Sequence, residues 1–158
     1  MIFVTMSSWE FERLAKEMDR IAGRTKEKVV MQTGLTKYKP KHAEYFRYTT
    51  GERIQELNKN ARVVVTHAGA GCIITALKYG RPLVVVPRLK KFKEHIDDHQ
   101  MIIAEFLERK GIVQAVYDIK DLEKKIGMAR KCRYRSGRGR MVAFLKDYLK
   151  NLEAETGG

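Results

Sequence analysis

The segment Thr66-His67-Ala68-Gly69-Ala70-Gly71-Cys72 holds residues that could bind a phosphorylated ligand. It follows a run of valines and precedes a helical pattern. Glycines at the start of a helix let a ligand approach the backbone closely, and the free N–H groups there favour an anion. We therefore expect a diphosphate at Gly69, Ala70, Gly71 and Cys72. The spacing is neither G-x-G-x-x-G nor a P-loop, so a tight strand-to-helix turn is the alternative.

A second segment, Glu94-His95-Ile96-Asp97-Asp98-His99-Gln100, lies between a basic loop and a helical pattern. Its donors and acceptors could bind sugar hydroxyls or a nucleotide. His95 and His99 would bind a metal if they shared one helical face with a nearby aspartate. The helix is predicted to begin only at Asp97 or Asp98, so this shared face is not expected and we predict no metal site. Helix capping is the alternative role of the two aspartates.

Two reactive side chains flank the glycines. His67 ends a predicted strand, where it could act as a base or have a structural role, and both alternatives stay open. Cys72 has no evident base neighbour in the sequence, so a catalytic thiol is not expected. The only other cysteine is Cys132. Two cysteines are too few for a disulfide framework or a cysteine-based zinc site.

Alternating strand and helix patterns predict the scaffold that positions these segments. Apolar runs predict strands at 2–6, 28–33, 62–66, 83–87 and 113–117, with a short strand near 45–48. Amphipathic helices are predicted between them, and Ser7 with Glu10 matches a capping box at the start of the first. This alternation predicts an α/β, Rossmann-like domain, a parallel sheet with helices on both faces. Ligands bind such sheets at the carboxyl ends of the strands.

Charge and composition narrow the class of protein and its partners. The chain has 158 residues, 44% of them hydrophobic, and 32 Lys and Arg against 19 Asp and Glu, a formal net charge of +13. The excess of positive charge favours an anionic partner. No apolar run is long enough to span a membrane, so we expect a soluble cytosolic protein. The basic segment 130–140 lacks paired aromatic residues. We therefore rank membrane or protein contact above nucleic acid, which is not an expected partner.

Residues Thr66 to Pro87, followed by Asp98-His99-Gln100, resemble the donor-binding half of family 28 glycosyltransferases. Within that family, the chain resembles the small cytosolic subunits of two-part UDP-N-acetylglucosamine transferases. The resemblance implies one Rossmann-like half of a GT-B enzyme that binds a UDP-sugar, UDP-GlcNAc. We expect no cofactor, and because the sequence has no Asp-x-Asp motif, we expect the helix N-terminus rather than a metal to stabilise the charge on the UDP leaving group. It also implies a lipid-diphosphate acceptor and a membrane-anchored subunit that binds it, at the cytoplasmic face of a membrane. A homodimer that builds the cleft from two copies is an alternative.

The resemblance also implies a domain division and roles for single residues. Residues 1–127 would bind the donor, and 128–158 would form a basic segment and an amphipathic helix packed on this domain or on a partner. The backbone at 69–72 would bind the diphosphate, 98–100 the sugar, and the loop 5–8 would close over the donor. The implied donor-binding residues are Thr5, Ser7, Ser8, His67, Gly69, Ala70, Gly71, Cys72, Thr75, Asp98, His99 and Gln100.

Three positions depart from the pattern of the family. Ser7-Ser8 replaces a Gly-Thr pair, Cys72 replaces a Ser or Thr that contacts phosphate, and Thr75 replaces an acidic residue that contacts ribose. A hydroxyl bonds a ribose without charge assistance, and a thiol is a weaker donor than a hydroxyl. These departures predict weaker donor contacts. The alternative function is therefore a non-catalytic basic module that binds nucleic acid or docks a partner.

Overall fold

A computed structural model of the protein describes residues 1–129, 143, 147 and 148. Six parallel strands form one sheet in the order β3-β2-β1-β4-β5-β6. The chain leaves β1 in one direction along the sheet and returns to its other side at β4, which creates a topological switch point. The predicted α/β, Rossmann-like fold is confirmed. The strands are β1 (Ile2–Thr5), β2 (Val29–Gln32), β3 (Glu44–Phe46), β4 (Val63–His67), β5 (Leu83–Val86) and β6 (Gln114–Ala115).

Helices cover both faces of the sheet. Neighbouring residues of β1 show this, because Val4 packs into an apolar cluster with α1 and α5 while Phe3 packs into one with α2, α3 and α4. A strand that is buried on both faces must be apolar throughout, which explains the continuous runs in the sequence. The helices are α1 (Glu12–Ala22), α2 (Gly51–Asn60), α3 (Ala70–Lys78), α4 (His99–Arg109) and α5 (Leu122–Met128).

The carboxyl edge of the sheet is polar where the strands meet the switch point. Thr5 of β1 is in register with Gln32 of β2 on one side and with Thr66 of β4 on the other. The Thr5 hydroxyl donates to Gln32 Oε1 at 2.6 Å, and the Thr66 hydroxyl donates to the Thr5 carbonyl at 3.0 Å. These bonds fix the end of β1, so the loop that follows starts from a rigid point.

The predicted capping box at Ser7 is wrong. Helix α1 begins at Glu12, its N-cap residue is Phe11, and no side-chain capping bond is found there within the described part of the chain. The Phe11 N–H instead donates to Thr36 Oγ1 at 2.9 Å, from a loop distant in sequence. Ser7 has a φ of 58° and belongs to the loop before the helix. A contact between distant segments thus replaced the local cap that the sequence pattern indicated.

The C-terminal predictions lie mostly outside the described residues. The basic segment 130–140 is not among them, and the predicted helix from 141 is represented only by 143, 147 and 148. Tyr148 stacks on Phe106 of α4, with ring centroids 4.3 Å apart. The predicted strand 113–117 is shorter than expected, because only Gln114–Ala115 pairs with β5. No helix in the described part of the chain is long and apolar enough to cross a membrane.

Candidate functional site at the carboxyl edge of the sheet

An open cleft of about 370 Å³ lies at the carboxyl ends of β1 and β2, beside the start of α3, which follows β4. It is located at the switch point, where Rossmann-like sheets bind their ligands. The structure brings five residues of the predicted site together here: one at the end of β1, one in the loop after β1 and three in α3. The lining residues are Thr5, Ser7, Gln32, Ile54, Asn58, Gly71, Cys72 and Thr75.

The N-terminus of α3 opens into this cleft. Gly69 is its N-cap, no side chain of the described residues caps it, and its first turn contains no acidic residue. Its first backbone N–H groups therefore keep their hydrogen-bonding capacity and the positive end of the helix dipole. Among the residues that the structure describes, those lining the cleft carry no formal charge. An anion in the cleft would thus be held by backbone N–H groups and hydroxyls.

The two glycines of this turn have different neighbours. A Cβ on Gly69 would collide with the imidazole of His67, whereas a Cβ on Gly71 would meet no atom within 4 Å among the residues that the structure describes. Gly69 is therefore required by the packing of the histidine ring, which the sequence did not indicate. Gly71 faces open space in the cleft, as expected of a glycine that lets a ligand approach the backbone.

His67 is a buried, neutral histidine. Burial lowers its pKa to about 3, assisted by the positive charge of Arg88, while a hydrogen bond with Gln100 acts in the other direction. Its Nε2 lies 3.4 Å from the sulfur of Cys72. Cys72 therefore does have an imidazole neighbour, contrary to the expectation from the sequence. An imidazole with so low a pKa is a poor proton acceptor, so the structure favours the structural role for His67.

The Cys72 thiol does not form an ion pair with His67. Burial raises the pKa of Cys72, although the charge of Arg88 and hydrogen bonds with nearby hydroxyls oppose this. A raised thiol pKa and a lowered imidazole pKa both keep the pair neutral at pH 7. The arrangement thus agrees with the prediction that Cys72 is not a catalytic nucleophile.

Gln100 connects the ends of two strands. Its Oε1 accepts hydrogen bonds from the Ala68 N–H at 3.2 Å and the Arg88 N–H at 3.1 Å, and its Nε2 lies 3.5 Å from His67 Nδ1. The side chain is 3% exposed. Its amide is therefore already satisfied within the protein. A contact between Gln100 and a sugar stays a prediction, and it would require these bonds to break.

Three other predicted residues lie away from the cleft lining. Asp98 accepts a hydrogen bond from the Lys90 N–H at 2.8 Å, and no side-chain bond caps α4 from it. His99 begins α4 and contacts Asp97. Ser8 is exposed in the loop after β1. Their predicted roles toward a donor remain predictions, and they need a ligand that extends beyond the cleft.

Arg88 is a buried cation that sequence reasoning missed. Only 2% of it is exposed, and its Nη2 donates to the carbonyl oxygens of Met6 at 2.5 Å and Trp9 at 3.4 Å. Burial lowers its pKa to about 10, which leaves the guanidinium charged at neutral pH. Its Nε has no partner within the described part of the chain. Arg88 thus fixes the loop after β1 and places positive charge close enough to affect His67 and Cys72.

Two polar residues of the lining were also missed. Gln32 ends β2, and Asn58 lies on the buried face of α2 with 1% exposure. Asn58 Nδ2 donates to the Ile54 carbonyl at 2.8 Å, and its Oδ1 has no partner among the described residues. Their positions in the sequence could have indicated both residues. A polar side chain at the end of a buried strand or on the buried face of a helix must form hydrogen bonds within the protein or with a ligand.

Comparisons with known proteins place these features in a family. The glycosyltransferase family 28 C-terminal domain matches residues 1–142. The UDP-N-acetylglucosamine transferase subunit ALG13 of Cryptococcus neoformans is 35% identical over 85 residues, which cover 52% of this chain and 39% of that protein. The ALG13 subunit of Candida albicans is 28% identical over 93 residues, covering 59% and 30%. The matches thus span about two fifths or less of the length of these curated relatives.

Solved structures share the fold. The solution structure of ALG13 has a TM-score of 0.61 at 15% identity and covers 91% of this chain and 94% of that one. MurG from Acinetobacter baumannii has a TM-score of 0.58 at 17% identity, covering 92% of this chain and 49% of that one. At these identities the likeness concerns the fold alone. The architecture is that of one Rossmann-like half of a GT-B glycosyltransferase, as predicted.

Proposed function

The chain belongs to the glycosyltransferase family 28 C-terminal domain family, and on this basis we propose that it is the donor-binding subunit of a glycosyltransferase. Its donor would be a UDP-sugar, UDP-GlcNAc, bound in the cleft at the switch point. The observation that carries the proposal is the uncapped N-terminus of α3, which opens into the cleft at Gly71. A helix N-terminus with close backbone access suits a diphosphate.

The diphosphate would be bound by the backbone N–H groups of the first turn of α3. Charge develops on UDP as the bond to the sugar breaks, and preorganised N–H groups stabilise such charge without moving. Arg88 supports this role, because its charge acts on Cys72, which lines the cleft. Thr75 would contact the ribose through its hydroxyl, whose hydrogen is now donated to the Gly71 carbonyl at 2.8 Å. The loop at Thr5 to Ser8 would cover the donor.

The choice of UDP-GlcNAc rests on the names of the ALG13 relatives, which are called UDP-N-acetylglucosamine transferase subunits. The sugar would extend from the cleft toward His99, which begins α4. The general base that takes the proton from the acceptor would lie outside this cleft. Apart from the neutral thiol of Cys72, the described residues that line the cleft have no ionisable side chain.

We further propose that a membrane-anchored partner binds the acceptor, a lipid diphosphate, at the cytoplasmic face of a membrane. The word subunit in the names of the relatives supports a partner, and the net charge of +13 suits an anionic membrane surface. A homodimer that completes the cleft is the alternative. The mass of the protein in solution, alone and with membranes that contain the partner, distinguishes these assemblies.

Calorimetric titration of the purified chain with UDP-GlcNAc, UDP and ADP at fixed salt tests the proposal. The expected result is binding of UDP-GlcNAc and UDP at least tenfold tighter than binding of ADP. Equal affinity for UDP and ADP, with a steep loss of affinity as salt rises, would instead indicate a general polyanion binder. A chain that binds no UDP-sugar, alone or together with its partner, would contradict the proposal.

A further inference from the structure

Three side chains that could bind a metal meet in the turn before α4. Nδ1 of His95 lies 3.1 Å from Oδ1 of Asp97, and Nδ1 of His99 contacts the same oxygen. One ligand atom from each of the three residues lies within 4.8 Å of the other two. The sequence predicted no shared face for the histidines, because a helix was expected to begin too late. A non-helical turn brings them together instead, since α4 begins only at His99.

Hydrogen bonds hold both ends of this turn. At its start, the Glu94 carboxylate accepts bonds from Arg13 at 2.9 Å and from the Leu89 N–H at 3.1 Å. At its end, Asp98 accepts the Lys90 N–H at 2.8 Å. Glu94 is 8% exposed, so the first of these anchors is buried. Ligands on a turn that is fixed at both ends are largely preorganised, which lowers the entropy cost of binding a metal.

The ligand atoms suit a borderline divalent cation. Two imidazole nitrogens and one carboxylate oxygen are ligands that Zn²⁺, Ni²⁺ and Cu²⁺ bind in proteins. Bonds of about 2.0–2.1 Å in a tetrahedral site place ligand atoms about 3.3 Å apart. The 3.1 Å between His95 Nδ1 and Asp97 Oδ1 is close to this spacing. All three side chains are partly exposed, so an ion and its remaining water ligands can reach them.

We propose that His95, Asp97 and His99 form a binding site for one Zn²⁺ or similar divalent cation. The ion replaces the shared hydrogen bonds at Asp97 Oδ1. Each imidazole donates from Nδ1 without the ion, so to bind the ion through Nδ1 it takes the tautomer that carries its proton on Nε2. Three protein ligands leave at least one position of the ion open to water or to another ligand. The site shares His99 with the proposed path of the donor sugar, but no nucleotide or sugar takes part in forming it, so it can be tested in their absence.

Trp9 provides a direct optical test. It is the only tryptophan of the chain, and its ring centroid lies 6.0 Å from that of His95. Tag-free full-length protein without nucleotide is titrated with Ni²⁺ while Trp9 fluorescence is followed, and with Zn²⁺ by calorimetry. We expect one ion per chain and saturable quenching of Trp9 by Ni²⁺. His95→Ala and Asp97→Ala should each weaken Zn²⁺ binding by about tenfold or more.

His42→Ala is the matched control, because His42 belongs to the loop before β3 and not to the cluster. It should bind both ions as the wild type does. Thermal unfolding of each variant confirms that the fold is kept. Wild-type protein that does not bind Zn²⁺ at 100 μM, or His95→Ala protein that binds it as tightly as the wild type, would overturn the metal site. Neither result would affect the nucleotide titration.

Discussion

The imidazole of His67 occupies the space that a Cβ on Gly69 would fill, while Gly71, two residues later, faces open space. The same short segment thus contains one glycine that packing requires and one that leaves the cleft accessible. His67 is fixed in turn by Gln100, whose amide joins the ends of β4 and β5. The geometry of the cleft therefore depends on a buried set of residues that does not itself line it.

Alanine substitutions at the two glycines should have opposite effects on stability. Gly69→Ala forces the His67 ring to move, and overpacking of this kind lowers the free energy of unfolding by about 1–3 kcal/mol. Gly71→Ala lies within α3 and has room for a methyl group, so it should raise the free energy of unfolding by up to about 1 kcal/mol. Urea denaturation of both variants measures this difference. Equal effects would show that the ring does not constrain Gly69.

Ser7→Gly should stabilise the protein. Ser7 has a φ of 58°, a left-handed conformation that costs a side-chain-bearing residue about 1 kcal/mol more than glycine. We expect the midpoint of urea denaturation to rise accordingly. Ser8→Gly is the control, since Ser8 is exposed and is not among the described non-glycine residues with positive φ. It should leave the midpoint unchanged or lower it, and a gain as large as that of Ser7→Gly would refute the argument from φ.

Much of the fold was predictable because strand and helix patterns are local. The valine runs of β4 and β5 and the apolar face of α1 occur where the sequence placed them. The start of α1 was not predictable, because its first N–H is bound by Thr36 from a distant loop. At the site, the glycine segment was found, but the burial of Arg88 depends on contacts with Met6 and Trp9 that no local pattern contains. The meeting of His95 and His99 likewise depends on a turn outside regular structure.

Protonation of His67 should couple stability to pH. Its pKa is about 3 in the folded protein, against an ordinary value of 6.5, so below pH 6.5 the unfolded chain takes up a proton that the folded one does not. Its stabilising contribution is complete above pH 6.5 and is lost as pH falls toward 3, with a slope approaching about 1.4 kcal/mol per pH unit. His67→Gln lacks this contribution, so the difference in stability between wild type and variant should change with this slope as pH falls below 6.5.

NMR follows the same group directly. The Hε1 resonance of His67 should not shift between pH 5 and 8. A titration of this resonance with a midpoint near 6.5 would show that the imidazole is accessible to solvent and would reopen its role as a base. Comparison of urea denaturation for wild type and His67→Gln at pH 7 and pH 5 gives the corresponding difference in stability.

Two substitutions of Arg88 separate its charge from its hydrogen bonds. Arg88→Lys keeps a positive charge but cannot reproduce the planar donor group that reaches Met6 and Trp9. We expect it to lower stability by about 1–3 kcal/mol while retaining most of the UDP affinity. Arg88→Met should lose stability and also weaken UDP binding about fivefold or more, because the positive charge that acts on Cys72 in the cleft lining is gone. Equal UDP affinities of the two variants, both folded, would show that this charge does not act on the ligand.

The measurement that tests the central claim most directly is UDP binding by Gly71→Trp, with Gly127→Trp as its matched control. Both glycines lie in helices, and a Cβ at either position would meet no atom of the described residues within 4 Å, but Gly127 belongs to α5 on the opposite face of the sheet. Both variants should fold. We predict that Gly71→Trp loses UDP and UDP-GlcNAc binding in calorimetry, because the indole fills the cleft, while Gly127→Trp binds them as the wild type does. Unchanged UDP affinity in a folded Gly71→Trp variant would contradict the donor site proposed here.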